Sequence, residues 1–104
     1  GNTTKTVLIR AVGPSLSGFG VSGPMADPKL TLYREDSTVL ATNDNWNGTA
    51  ALKSAFGLVG AFGLDGTTKD AALLLNLAPG SYTAEATSSN VASGAAIVEV
   101  YEVP

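Results

Sequence analysis

The 104-residue chain contains no cysteine and no histidine. These two absences exclude a disulfide framework, a Cys/His zinc site, a cysteine nucleophile and an imidazole general base. Charge is scarce as well: 14% of residues are Asp, Glu, Lys or Arg, and six cations against nine anions give a formal net charge of −3. The cations stand singly between Lys5 and Lys69. No basic stripe exists to neutralise successive phosphates, so nucleic acid is excluded as a partner. Long apolar runs are also missing. The longest, residues 71–75 and 95–98, fall far short of the roughly 20 residues that span a bilayer, and no membrane insertion is expected. The opening Gly1-Asn2-Thr3 has no Met, no basic n-region and no apolar h-region, which reads as a processed mature chain or an excised piece.

What is present points to one β domain. The length matches a single domain with one core. Its 44% hydrophobic residues recur with period two in short bursts, separated by Gly, Pro, Asn, Asp and Ser clusters, which is the pattern of strands and turns. Residues 4–12 form the first burst and are apolar on both faces, as in a sandwich interior or a subunit contact. A long ordered loop follows over residues 13–28, with four glycines and three prolines.

Residues 29–34 and 39–42 read as a hairpin closed by Glu35-Asp36-Ser37. Residues 50–56 carry the one helix-compatible spacing, about two turns behind Thr49 as N-cap. Residues 57–69 read as an irregular crossover. Three further strands are expected over residues 70–77, 81–87 and 94–103, the first two joined by the tight turn Ala78-Pro79-Gly80. In the last, Ala96, Val98 and Val100 oppose Glu99 and Tyr101. The expected fold is an all-β antiparallel β-sandwich of six to eight strands, with long Gly/Pro-rich loops and at most one short helix. Few lysines and an excess of Gly, Ala, Thr and Ser suggest a secreted bacterial protein, extracellular or on the cell surface, and the lack of disulfides agrees with that origin.

Several blocks carry a resemblance: Ile9-Arg10-Ala11-Val12-Gly13-Pro14-Ser15-Leu16, Asp27-Pro28-Lys29-Leu30-Thr31-Leu32-Tyr33, Asn43-Asp44-Asn45-Trp46, Asp70-Ala71-Ala72 and Leu77-Ala78-Pro79-Gly80-Ser81-Tyr82-Thr83. The chain resembles a repeat-type β-sandwich module of large secreted bacterial surface proteins. More distantly it is similar to the bacterial pre-peptidase C-terminal domain, with an Asp-x-Leu-x-Leu-Tyr strand, an Asn-Asp loop and a Pro-Gly-x-Tyr turn in that order. The resemblance implies a non-catalytic, jelly-roll-like accessory domain, sometimes calcium-bound and sometimes binding polysaccharide or protein. The chain departs from the distant family at Asn45-Trp46, where a second acidic residue is common.

Candidate sites follow from residue chemistry. Pairing of the 29–34 and 39–42 strands brings Asp27 toward Asn43 and Asp44, a corner of oxygen donors that suits Ca²⁺; the alternative is that these residues cap their own loops through Asx turns. Trp46, the sole Trp, lies between Asn45 and Asn47. With Tyr33 these residues form a candidate sugar-stacking surface, unless Trp46 closes one end of the core. Asp65-Gly66-Thr67-Thr68-Lys69-Asp70 lacks the spacing of an EF-hand and reads as a turn, and its Asp65 and Asp70 offer a carboxylate pair without a cleft. Gly13-Pro14-Ser15-Leu16-Ser17 departs from a nucleophile elbow and has no His to serve it. Asn2-Thr3-Thr4 and Asn47-Gly48-Thr49 match the glycosylation sequon.

Two roles remain. One is a structural module that associates with copies of itself through β-edges, with residues 1–12 as a donor strand and Thr6, Val7, Leu8 and Ile9 as its contact. The other is an accessory module for polysaccharide or matrix protein. The structural role ranks first because the most specific residues are Gly, Pro and apolar positions, which shape backbone and core.

Overall fold

Strand β1 (Lys5–Val12) is apolar on both faces because both faces are covered within the chain. In the computed structural model, which describes residues 4–64, 68–88 and 94–104, β1 is the central strand of a three-stranded antiparallel sheet. Its neighbours are β4 (Ala71–Leu77) and β6 (Ile97–Val103). The second sheet places β2 (Pro28–Arg34) between β3 (Val39–Asn43) and β5 (Tyr82–Ser88), again antiparallel. These six strands and one short helix form the all-β sandwich expected from the sequence.

Alternation decides which core each side chain joins. Ile9 and Ala11 on β1 and Ala71 on β4 face Leu30 and Leu32 of the second sheet, with Leu40, Leu73, Leu75, Tyr82, Ala84 and Ala86 packed around them. Leu8 and Val12 point the other way. They meet Leu16, Trp46, Leu52, Ala55, Phe56 and Leu64, so a second core lies outside the sandwich, under the helix and the crossover. The double-sided burial of β1 therefore reflects a third, partial layer, not a subunit contact. With both of its edges paired, to β4 and to β6, β1 presents no free hydrogen-bonding row. Its proposed contact residues Val7, Leu8 and Ile9 are core side chains or pack on the core, and the Thr6 hydroxyl donates to Asn76 Oδ1 at 2.6 Å. A donor role for this strand is replaced by a central one.

Helix α1 (Ala50–Val59) runs about one turn longer than its apolar spacing predicts. It ends where Gly60 takes φ 72°, and Ala61 N–H donates back to the Phe56 carbonyl at 3.0 Å, closing the last turn. Thr49 occupies the N-cap position, but its hydroxyl donates to the Trp46 carbonyl at 2.8 Å and makes no capping bond. The loop after β1 contains a 3-10 helix (Pro14–Phe19) that seats Leu16 in the outer core.

Gly13 is required by close approach: a Cβ there would stand 2.2 Å from the Met25 carbonyl oxygen. A Cβ on Gly94 would stand 2.6 Å from the Met25 nitrogen, whose N–H donates to the Ala95 carbonyl at 2.6 Å beside a short parallel bridge. The Gly-Pro-Ser block thus fixes how the loop crosses the top of the sandwich. At the opposite end Thr6 pairs with Val103. There the Tyr82 hydroxyl donates to the Ala78 carbonyl at 2.6 Å and ties down the Pro-Gly turn, much as a tyrosine corner does.

Candidate functional site

The polar positions were read from sequence as ligand and metal residues, and the fold gives most of them other work. Trp46 is 1% exposed and packs against the Phe56 ring with centroids 5.1 Å apart. It closes the outer core and cannot stack on a sugar. Asn45 and Asn47 flank it in the same loop, Asn47 exposed with φ 60° and Asn45 donating to Asp44 Oδ1 at 3.2 Å. Tyr33 lies at the other end of β2, opposite Thr83 and Val39. It borders a depression of about 290 Å³ with Arg34, Glu35, Ser37, Thr83 and Glu85. The four residues of the expected sugar-binding surface are not brought together.

The calcium corner is not assembled either. The Asn43 side-chain oxygen accepts the Ala72 N–H at 3.1 Å, joining the end of β3 to the start of β4 across the two sheets. Asp44 is exposed and accepts from Asn45. Asp27 keeps one buried carboxylate oxygen without a hydrogen-bond partner. Among the described residues no cluster of three His, Cys, Asp or Glu is placed to hold a metal ion. Asp65 and the sequon residues Asn2 and Thr3 lie outside the described residues.

Two buried charges escaped the sequence reading. Asp70 is fully buried and gathers a fan of donors. Its Oδ1 accepts Gly13 N–H at 2.8 Å and Ser15 N–H at 3.3 Å, and its Oδ2 accepts the hydroxyls of Ser15 and Thr68, each at 2.5 Å. The Asp70 backbone carbonyl accepts Trp46 N–H at 3.0 Å. One residue thereby joins the 3-10 loop, the crossover and the Trp46 loop. Four donors, the Ser15 hydroxyl among them, converge on its carboxylate, which anchors these segments to one another.

Arg10, also fully buried, lies between two rings, its guanidinium 4.8 Å from the Phe56 centroid and 4.4 Å from that of Phe62. Nε donates to Glu99 Oε1 at 2.7 Å, and Nη1 donates to the Phe62 carbonyl at 2.6 Å. Nη2 stands 2.6 Å from the same Glu99 oxygen as an ion-pair contact without hydrogen-bond alignment. A lone arginine inside an apolar strand is the signal for such a partner, because a buried charge must be paired. Arg10 and Glu99 are register neighbours on β1 and β6.

Among the described residues, β6 carries three of the exposed large hydrophobics, Ile97, Val98 and Val100. Tyr101 and Val103 turn toward the outer core, on the same face as Glu99. Val98 and Val100 therefore lie on the face that looks toward the second sheet, beside Ala11 and Ile9. The second sheet does not reach them: Val98 is 39% exposed and Val100 62%. Around the far end, open depressions of about 520 Å³ and about 210 Å³ share Pro79, Gly80 and Tyr82. On the rim of the larger one, hydrogen bonds from Thr38 hold the Asp36 carboxyl below its ordinary value.

No helix among the described residues is long and apolar enough to cross a membrane. Comparison of the chain with protein-family models, with curated proteins and with solved structures finds no match.

Proposed function

We propose that this chain is a non-catalytic extracellular structural module of a bacterial surface, which associates with copies of itself through β-edge contacts into an array or filament. The observation that carries the reading is the flank at β6: two valines exposed on a sandwich-facing strand side, next to a backbone row with no strand partner among the described residues. Such an edge is a template for another strand. The buried polar residues support the non-catalytic part of the reading, since Asp70 and Arg10 are engaged by partners inside the fold. Edge pairing replaces the donor-strand route expected from the N-terminal strand, because that strand is central in its own sheet.

Negative-stain imaging and static light scattering over a concentration series test this. Mass that grows with concentration supports the reading; a 10.5 kDa particle at every concentration rejects it. Binding of polysaccharide or matrix protein is the weaker reading, now confined to Tyr33 and its shallow surroundings, since Trp46 is core.

A further inference from the structure

We infer that β6 pairs with β6 of a second copy in an antiparallel ladder centred on Val100, joining two three-stranded sheets into one of six. The inference rests on the self-association proposed above and names its edge, partner and register. Four strands border the two sheets, and three are unsuited to this role. β3 has only five residues and a register shift beside Leu32 and Tyr33, and an irregular edge resists extension. At β4 the outward Ala72 N–H is taken by Asn43, and the Trp46 N–H caps the Asp70 carbonyl just before the strand. β5 presents Ala84 and Ala86 inward, already packed on the sandwich core, and only polar side chains outward.

β6 is different. Its sequence, Ile97-Val98-Glu99-Val100-Tyr101-Glu102-Val103, contains no Pro, Gly or Lys to guard the edge. Its two carboxylates are already matched, Glu99 by Arg10 and Glu102 by Lys5 at 2.9 Å.

Self-complementarity selects the partner and the register. In an antiparallel ladder opposed side chains share a face, so in a two-fold pair each residue must oppose one of its own facing. Centring on Glu99 sets like charges directly opposite, which is destabilising. Centring on Tyr101 leaves Ile97 without an opposite number in the strand. Centring on Val100 opposes Ile97 to Val103, Val98 to Glu102 and Glu99 to Tyr101, using the strand's full length. It also merges the exposed valines of both copies into one patch between the two second sheets.

A seven-residue ladder is about 23 Å long, and such a contact buries on the order of 500 Å² in total, well below a standard stable interface. The pair is therefore weak and forms only at high concentration, as a closed two-fold dimer.

The chain has no cysteine, so crosslinking reads the register directly. Opposed Cα atoms in a ladder stand roughly 4.5 to 5.5 Å apart, within disulfide reach. Val100→Cys should form covalent dimers about tenfold faster than Leu58→Cys, a helix position with the same 62% exposure. Val98→Cys mixed with Glu102→Cys should crosslink faster than either alone. Equal rates for Val100→Cys and Leu58→Cys, or fastest self-crosslinking by Val98→Cys, would overturn the pairing. If native chains associate in light scattering while these rates are equal, β6 pairing fails and self-association stands; native chains that never associate remove both.

Discussion

Ile9 and Val100 are register neighbours on the same face of one sheet, yet Ile9 is 2% exposed and Val100 62%. The boundary of the second sheet falls between them. Ile9→Ala should therefore cost about 3 kcal/mol through lost burial and a cavity, whereas Val100→Thr should change stability by less than about 0.5 kcal/mol, as at an ordinary surface site. Urea denaturation of both variants at low concentration measures this difference.

Asp70 should be the most sensitive polar position. Asp70→Ala leaves the buried Gly13 N–H and the half-buried Ser15 and Thr68 hydroxyls without this acceptor, and an unsatisfied buried donor costs roughly 1–3 kcal/mol. A loss of several kcal/mol, large against the total stability of a small domain, should appear as a steep fall in melting temperature. Ser17→Ala, whose hydroxyl makes only a local bond to the exposed Pro14 carbonyl, should leave the melting temperature nearly unchanged.

As the sole Trp, Trp46 reports its own burial. Its emission should be blue-shifted, resist acrylamide quenching and stay unchanged when soluble polysaccharides are added. Trp46→Ala should destabilise the chain by about 3–5 kcal/mol.

Strand existence was legible because period-two alternation and Gly/Pro punctuation are local signals: β2, β4 and β5 fall within a residue of their expected ends. The facing of β6 was not. Alternation marks two faces without saying which one meets the core, and the apolar Val98 and Val100 compete with Tyr101 and Val103. The outer core settles that contest, and it depends on α1 and the crossover, which no local pattern places. Sites were harder still. Trp46 and Asn43 look like ligand residues in a polar loop, but their partners Phe56 and Ala72 are distant in sequence. Arg10 was passed over although it carries a local signal, since a charge isolated among apolar neighbours demands a counter-charge.

Alkaline pH should expose Tyr101. Burial, then the nearby Glu99 charge, push its hydroxyl above the ordinary value of 10.0. Because the folded value lies above the unfolded one, this group's contribution is intact below about pH 10 and is lost as pH rises through the folded value. In an ultraviolet titration, Tyr101→Phe should remove an ionisation step that lies above the ordinary tyrosine value.

Salt should favour association. Each copy carries a net −3, and moving from about 0.01 M to about 0.15 M ionic strength shortens the screening length from roughly 30 Å to roughly 8 Å. Light scattering at fixed concentration should therefore rise with salt.

Sedimentation velocity of the native chain and of Val100→Lys, run side by side from micromolar to millimolar concentration, bears most directly on the uncovered flank. The native chain should shift to larger species as concentration rises, while the lysine variant, folded by circular dichroism, should stay near 10.5 kDa. A native chain that sediments as one small species throughout would contradict the account.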